Sequence, residues 1–343
     1  MRGQIRILLA IGFSISVILS LNCSGSKQSG MFLIRQNGKS GYIDKKGQVL
    51  ISPQFDSADN FSGGLAAVQV GGKYGYINPK GAFVINPQFE AAGGFLDGLA
   101  AVSVSSKWGF IDKTGKFVIN PQFDAVEFFS EGQCAAKSGE KWGYIDKSGN
   151  YLINPQFDSA GPHIDGLAVI TSNDKFGFVD KSGSVVVSPQ FESVNVNSYL
   201  LRLAIKVEWP MPVRVGEKYG FVDKAGKFVI NPQYEDAESF TEGLAPVKTG
   251  GKYGFVDNKG NMVISPQFDS TSIFSDGLCP VKIGDKTGYI DKTGKYIINP
   301  QFDFAGIFID GLAAVGLSSK DNKQSMGYID KTGKYIYGPT RTD

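Results

Sequence analysis

Few residues of this chain could do acid–base, nucleophilic or metal chemistry. Its 343 residues include one histidine, His163, and three cysteines, Cys23, Cys134 and Cys279. A single histidine excludes any metal site that is built from several imidazoles. The 35 Lys and Arg residues barely exceed the 33 Asp and Glu residues, so there is no basic surplus to neutralise a nucleic-acid backbone. We therefore expect no cofactor, no metal site and no nucleic-acid partner.

The most regular chemical feature is a column of acids that recurs along the chain. A calcium ion would need several of these acids to converge within ~2.6 Å of it, whereas each acid belongs to a separate repeat. We therefore expect the acids to cap turns. They are Asp56, Glu90, Asp124, Asp158, Glu192, Glu235, Asp269 and Asp303. An enzymatic alternative stays open, because an Asp/Glu pair brought together across repeats at ~5 to ~9.5 Å could hydrolyse a glycan.

The tryptophan, histidine and cysteine residues have structural explanations. Trp108 and Trp142 could stack against sugars, but Tyr or Phe fills the same position in other repeats, which favours packing between repeats. His163 stands where other repeats have Phe, and we expect it to pack in the same way. Cys134 and Cys279 replace an alanine and lie four repeats apart, so we expect two free, buried thiols.

The first residues carry a targeting signal. Arg2 and Arg6 precede an apolar run from residue 7 to residue 21, which is typical of a signal peptide. The following Leu-Ser-Leu-Asn-Cys23 resembles the lipobox of bacterial lipoproteins in its spirochaetal form, with Asn in place of the usual small residue. That resemblance implies cleavage before Cys23, lipidation of its thiol and a location in the cell envelope; plain secretion is the alternative. We divide the chain into a signal peptide (1–22), a flexible tether (23–30) and a repeat domain (31–343).

From Met31 onward the sequence repeats itself nine times. One glycine per unit recurs at intervals of 34 residues, except for one interval of 43 and one of 39. The repeated glycines are Gly41, Gly75, Gly109, Gly143, Gly177, Gly220, Gly254, Gly288 and Gly327. Each unit carries short apolar runs rich in β-branched and aromatic residues, which predict three strands. Between the second and third strands, Asp-x-x-Gly as in Asp112 to Gly115 predicts a type I turn with a bulge.

The pattern predicts an all-β repeat protein of nine three-stranded antiparallel units of ~34 residues. The third strand is apolar at successive positions, as in Val49-Leu50-Ile51, so we expect neighbouring units to cover both of its faces. The chain begins its first unit at strand one and ends its ninth after strand three, so no strand is shared between the two ends. We therefore predict an open or partly closed superhelical array, with a closed toroidal β-propeller as the alternative.

Two of the units show the family resemblance most clearly. Lys107-Trp108-Gly109-Phe110 and Lys141-Trp142-Gly143-Tyr144 resemble the WG, or KWG, repeat of bacterial β-repeat proteins, and the resemblance extends over residues 31 to about 339. It implies a binding architecture and brings no catalytic residues with it.

The two long intervals are where the chain departs from its own repeat. Five extra residues fall within residues 316–325, and nine fall within residues 199–214, which we place in first hairpins. We expect the larger insertion to project ~14 Å and to bind a partner through Tyr199, Arg202, Lys206, Trp209, Met211 and Arg214. The predicted function is a non-enzymatic, lipid-anchored envelope scaffold for a protein or glycan. Alternatives are an envelope spacer without a ligand and the glycan-processing enzyme.

Overall fold

The computed structural model describes residues 30–196, 200, 205–318 and 324–341, and these form 35 strands, β1 to β35. The first strands of the units are β1 (Met31–Gln36), β5 (Ala66–Val70), β9 (Ala100–Val104), β13 (Cys134–Ser138), β17 (Leu167–Ser172), β21 (Met211–Val215), β25 (Leu244–Thr249), β29 (Cys279–Ile283) and β33 (Leu312–Ser318). The second strands are β2 (Lys39–Asp44), β6 (Lys73–Ile77), β10 (Lys107–Ile111), β14 (Lys141–Ile145), β18 (Lys175–Asp180), β22 (Lys218–Val222), β26 (Lys252–Asp257), β30 (Lys286–Ile290) and β34 (Gln324–Asp330).

The third strands are the longest regular element of most units. They are β3 (Val49–Phe55), β7 (Phe83–Phe89), β11 (Phe117–Phe123), β15 (Tyr151–Phe157), β19 (Val185–Phe191), β23 (Phe228–Tyr234), β27 (Met262–Phe268), β31 (Tyr296–Phe302) and β35 (Tyr335–Arg341). Short linking strands precede eight of the first strands: β4 (Ser57–Ala58), β8 (Ala91–Ala92), β12 (Ala125–Val126), β16 (Ser159–Ile164), β20 (Ser193–Val194), β24 (Asp236–Ala237), β28 (Ser270–Thr271) and β32 (Phe304–Ala305). Among the described residues, no helix is long and apolar enough to cross a membrane.

The prediction of three-stranded units is wrong for eight of the nine described sheets. Each of those sheets runs linking, first, second and third strand in antiparallel order, and only blade 1 (β1 to β3) has three strands in the described chain. In blade 2 (β4 to β7), for example, Ser57 pairs with Gln69 and Ala58 with Val68. Two paired residues are too few to give a periodic sequence signal, which is why the connector concealed a strand. We number the sheets as blades 1 to 9 in chain order.

The open array is also wrong, because the nine blades close into a ring and form a nine-bladed β-propeller. Blade 9 (β32 to β35) packs directly on blade 1: the Tyr328 ring lies 5.5 Å from that of Phe32, and the Tyr328 hydroxyl donates to the Leu33 carbonyl at 2.8 Å. Lys45 and Asp310 approach each other to 4.0 Å across the same junction. Among the described residues the ring closes through side-chain packing and not through a shared strand, so closure does not require a split blade.

The contacts that join neighbouring blades repeat around the ring. The Tyr76 hydroxyl donates to the Gly93 carbonyl at 2.8 Å, and the Tyr76 ring packs 5.0 Å from Phe95 of the next blade. The Ser62 hydroxyl donates to the Phe95 carbonyl at 2.6 Å. Equivalent aromatic pairs at later junctions have ring separations of 4.8 to 5.1 Å. Each blade therefore buries its core against the next blade rather than within itself.

Ion pairs line one end of the ring. Lys147 donates both to the Asp97 carboxylate and to its carbonyl oxygen at 2.8 Å, although it lies on the following blade. The same carboxylate accepts the Gly132 N–H at 3.1 Å. Similar lysine–acid pairs recur at other junctions. Each exposed pair contributes little alone, but together with the backbone hydrogen bonds they fix the orientation of successive blades.

The repeated glycine of the second strand is required by close backbone contact. A Cβ atom on Gly109 would lie 2.5 Å from the Ile119 carbonyl oxygen and 2.6 Å from the Pro121 nitrogen. The register between β10 and β11 shifts at this point, between Trp108 and Phe110. The third strand therefore passes directly over the glycine, and any side chain there would clash with backbone atoms that cannot move independently.

The predicted turn between the second and third strands is confirmed. In blade 3 (β8 to β11), the Asp112 carboxylate accepts the Thr114 and Lys116 N–H groups at 2.9 and 3.1 Å. Gly115 has a φ of +88°, a conformation that favours glycine.

The third strand is less covered than the sequence predicts. Val49 and Leu50 are 49 and 50% exposed, whereas Ile51 and Phe55 are buried. This strand forms one edge of the sheet, so only alternate side chains reach the neighbouring blade. Ile85, for example, would lie 3.2 Å from a Cβ on Gly115 of the next blade.

We expect Gly109→Ala to lower the free energy of unfolding by ~2 kcal/mol, because the added methyl overlaps fixed backbone atoms. Gly93→Ala is the matched control, since its Cβ would meet nothing closer than 3.8 Å and its φ is not positive. Urea denaturation of the two variants measures the difference. Equal stability of the two variants would show that the contact over Gly109 is unimportant.

His163 gives the stability a pH dependence that can be measured. It is 1% exposed, packs 4.8 Å from the Tyr144 ring, and neither ring nitrogen has a hydrogen-bond partner in the described chain. Burial lowers the pKa of His163 below its usual value. The folded state therefore favours the neutral ring. As the pH falls below the unfolded pKa of ~6.5, the unfolded chain binds a proton that the folded chain does not, and the free energy of unfolding decreases.

His163→Phe, which restores the residue of other blades, should raise the free energy of unfolding by ~1 to 3 kcal/mol. The difference in melting temperature between the variant and the wild type should be larger at pH 5.5 than at pH 7.5. A difference that does not change with pH would contradict the assignment to His163.

Candidate functional site

The larger insertion lies between β20 and β21, before the first long strand of blade 6 (β20 to β23), and not in a hairpin. Leu200 and Val207 are 4 and 3% exposed, and they share one apolar cluster with Ile164 of blade 5 and Ile273 of blade 8. Since this cluster contains residues of blades 5, 6 and 8, the described part of the insertion folds onto the propeller. The smaller insertion does lie in a first hairpin, between β33 and β34.

Trp209 takes the place of the aromatic residue that joins blades elsewhere. Its ring lies 5.4 Å from that of Phe178 in blade 5 (β16 to β19) and is partly buried. The neighbouring Glu208 accepts the Gly243 N–H at 3.0 Å, the same contact that Asp97 makes with Gly132. The nine extra residues hide this equivalence in the sequence, because they move Trp209 out of the 34-residue register.

The other residues of the predicted binding set are spread over different environments. Lys206 is exposed, Arg214 is half-buried in β21, and Met211 is 1% exposed inside the apolar cluster. Tyr199 and Arg202 lie outside the described residues, as does the predicted lipidation site Cys23. The structure therefore gives Lys206 and Arg214 access to solvent and assigns Trp209 and Met211 to packing.

A polar cluster beside the insertion was missed by the sequence analysis. Asn195 donates its side-chain amide to the Ala237 carbonyl at 2.8 Å, and the Ser239 hydroxyl donates back to the Asn195 carbonyl at 3.1 Å. In blade 7 (β24 to β27), the Tyr253 hydroxyl donates to the Asp236 carboxylate at 2.6 Å. We call Asn195, Asp236, Glu238, Lys248 and Tyr253 the blade 7 cluster.

The electrostatics of this cluster differ from those of the rest of the ring. Burial, reinforced by the charge of Asp236, raises the pKa of Glu238 to about 7. Burial also raises the pKa of Tyr253, and the hydrogen bond to Asp236 acts in the same direction. The Lys248 ammonium lies 5.4 Å from the centre of the Tyr253 ring. The carboxyl group with the raised pKa, that of Glu238, thus stands two residues along the chain from the carboxylate that accepts the Tyr253 hydroxyl.

The signal that could have revealed the cluster is a departure from the repeat. Asp236 occupies the position of Ser57, Ala91 and Ala125, where the other linking strands, apart from β32 with Phe304, have small residues. Its charge stands outside the regular column of acids, so the 34-residue pattern does not mark it.

That column caps turns, as predicted. The Asp56 carboxylate accepts the Gly71 N–H at 2.9 Å and also binds Lys39, and these hydrogen bonds lower the pKa of Asp56. The capped turn belongs to the first hairpin of the following blade. No three or more His, Cys, Asp or Glu side chains in the described part of the chain are grouped to hold a metal ion.

The remaining chemical candidates pack between blades. Trp142 is 6% exposed, and Trp108 is partly buried against the apolar cluster that blades 3 and 4 share. Cys134 and Cys279 are free and buried, as predicted.

Comparison with known proteins places the chain in a family. A model described as "WG containing repeat" matches residues 41–74, 74–108, 108–142, 142–176, 176–199, 219–253, 253–286 and 288–320. No curated protein matches the chain. A crystal structure of a eukaryotic initiation factor has a TM-score of 0.64 at 12% identity, over 92% of this chain and 96% of that one. Dihydro-heme d1 dehydrogenase NirN has a TM-score of 0.49 at 11% identity, over 92% and 73% respectively.

At 12% identity the likeness to the initiation factor shows a shared fold alone. The family match covers most of the chain and confirms the resemblance drawn from the Lys-Trp-Gly units. The protein therefore belongs to the WG-containing repeat family.

Proposed function

We propose that this protein is a non-enzymatic, lipid-anchored envelope scaffold whose propeller binds a glycan or protein partner through blades 5 to 7. A propeller of WG repeats suggests a binding scaffold; the anchor and the partner are the further steps of the proposal. One observation carries it: the largest insertion and the blade 7 cluster, two separate departures from the repeat, meet at Asn195. In a repeat protein, residues that depart from the repeat are not needed for packing between units. Where such residues collect on one face, that face is often the binding face.

The chemistry of the cluster favours a glycan over a protein. Tyr253 and the neighbouring Tyr219 are half-buried, so each offers part of an aromatic face. Asp236 and Glu238 add carboxyl groups that can accept hydrogen bonds from sugar hydroxyls, and Lys248 adds a donor. A few converging polar groups beside aromatic rings are typical of small-ligand sites.

The insertion contributes to the same surface. Lys206 is exposed and Arg214 is half-buried, while Trp209 and Met211 hold the segment against blades 5 and 6. Tyr199 and Arg202 remain predicted contacts.

One observation also favours a second function, hydrolysis of a bound glycan. Such enzymes use one protonated and one ionised carboxyl group. Glu238, whose pKa burial raises to about 7, would supply the protonated group, and Asp236 would supply the second carboxyl group.

We expect Asp236→Asn to weaken binding of the mature protein to its glycan at least 10-fold on a glycan array, because a carboxylate acceptor is lost. Glu140→Gln is the control, since Glu140 is an exposed acid on the first hairpin of blade 4 (β12 to β15). Glycan binding that is equal in the two variants would exclude the blade 7 cluster.

The same array separates binding from hydrolysis. If the bound glycan is cleaved and Glu238→Gln abolishes cleavage while binding persists, the second function replaces the first. A mature protein that binds no glycan but captures one envelope protein, with Arg214→Ala weakening the capture, would assign the surface to a protein partner.

Replacing the predicted lipidated residue tests the anchor. Cys23→Ser should abolish incorporation of labelled fatty acid and move the protein from the membrane fraction to the soluble fraction, because several acyl chains at ~0.8 kcal/mol per buried CH2 would be lost. Unchanged partitioning of the variant would show that the lipobox interpretation is wrong.

A further inference from the structure

Blade 1 has no linking strand among the described residues, so within that part of the chain no strand pairs with the outer edge of β1, which we call the open edge. Gln36 pairs with Lys39 across the two-residue turn Asn37–Gly38. In an antiparallel hairpin, alternate residues bond the partner strand. The backbone groups of Gln36 and Ile34 therefore face β2, and those of Arg35 and Leu33 face the opposite, open side.

In the other eight blades the linking segment occupies this side of the first strand and makes the same hydrogen bond. The backbone carbonyl at the position of Arg35 accepts the backbone N–H of the acid that belongs to the repeated column. The acceptors, each with its donor, are Gln69 with Asp56, Ser103 with Glu90, Lys137 with Asp124, Thr171 with Asp158, Arg214 with Glu192, Lys248 with Glu235, Lys282 with Asp269 and Gly316 with Asp303, at 2.8 to 3.0 Å. Eight independent copies thus define what this side of a first strand binds.

The side chain of the column acid completes the contact. In blade 2, the Asp56 carboxylate accepts the N–H of Gly71 in the first hairpin turn. Asp124 and Asp158 accept the equivalent N–H groups of Gly139 and Asn173 at 2.7 and 2.8 Å. The occupant is therefore an extended segment in which a carboxylate precedes small residues, as in Asp-Ser-Ala or Asp-Ala-Val.

Blade 1 offers the same groups without this occupant. The Leu33 carbonyl accepts the Tyr328 hydroxyl from blade 9, which satisfies it by a different route. The Arg35 backbone and the Asn37 N–H face no acceptor or donor across the open edge in the described part of the chain. Arg35 is exposed, whereas its equivalent Gln69 is half-buried under its linking strand. An exposed, unpaired strand edge is a template for pairing with another chain.

We propose that this open edge of β1, formed by Leu33, Arg35 and the turn Asn37–Gly38, binds an extended acidic peptide segment of a partner protein. The segment adds as an antiparallel strand, which is a common mode of peptide recognition. Its Asp or Glu accepts the Asn37 N–H, and small residues follow along β1. The Arg35 guanidinium adds a positive charge beside the carboxylate. This surface is separate from blades 5 to 7 and does not depend on the glycan proposal.

A peptide copied from the protein's own connector tests the proposal. Fluorescein-labelled Ile-Asn-Pro-Gln-Phe-Asp-Ala-Val-Glu, the sequence of residues 119–127, is titrated with the mature protein and followed by fluorescence anisotropy. We expect saturable binding, weakened at least 5-fold when the peptide carries Asp124→Ala. The Arg35 amide should exchange rapidly in the free protein and become protected when the peptide binds.

Two variants at one position separate backbone pairing from side-chain contact. Arg35→Pro removes the N–H that faces the open edge and should weaken peptide binding at least 10-fold. Arg35→Ala keeps that N–H and should bind within about 3-fold of the wild type. Proline is compatible with an outward-facing edge position, and melting temperatures verify that both variants fold.

Two results of the titration would overturn the proposal: the peptide shows no saturable binding, or Arg35→Pro and Arg35→Ala bind it equally well. Protection of the Arg35 amide in the free, monomeric protein would show that the chain's own residues occupy the edge. Sedimentation that finds a dimer in the wild type and a monomer in Arg35→Pro would assign the edge to a second copy of this chain.

Discussion

The whole architecture depends on the place where the third strand passes over the glycine of the second strand. At Gly109 the Ile119 carbonyl and the Pro121 nitrogen come so near that no side chain fits. Beyond this crossing β11 still pairs with β10 through Phe123 and Trp108, and a single residue, Asp124, separates the end of β11 from the start of β12 in the next blade. Without that crossing a longer connection would be needed, and the 34-residue period would change.

The repeated polar contacts follow from this short connection. The residue between two blades is held in a fixed position, so a carboxylate there reaches both the hairpin turn of the next blade and the second-strand lysine of the previous one. Asp56 with Gly71 and Lys39 is one example. The column of acids is therefore explained by the geometry of the ring. Acids outside the column, such as Asp236 and Glu238, are not required by that geometry and are the better candidates for function.

The sequence predicts the units of this fold better than their assembly. The Asp-x-x-Gly turn, the three long strands and the capping acids are local features, and each has a residue signature. Closure of the ring depends on the angle between blades, which is the sum of many side-chain contacts and has no signature of its own. The linking strands are mostly two residues long, so they leave no pattern. The packing of Trp209 against Phe178 was not foreseen because an insertion displaced Trp209 from its column, and its role in binding stays a prediction.

Phe32 and Leu33 have a consequence for how the number of blades can change. Most other first strands have alanine, cysteine or proline at these two positions, as in Ala66-Ala67 and Cys279-Pro280, whereas blade 1, which has no linking strand among the described residues, has bulky, buried side chains there. Only the junction between the last and first blades is chemically distinct in this way. Duplication or loss of an internal 34-residue unit would leave every other junction with its usual partners and would require only a small change in the angle at each one. Rings of different size are thus accessible by recombination within the repeat, provided that the terminal blades are retained.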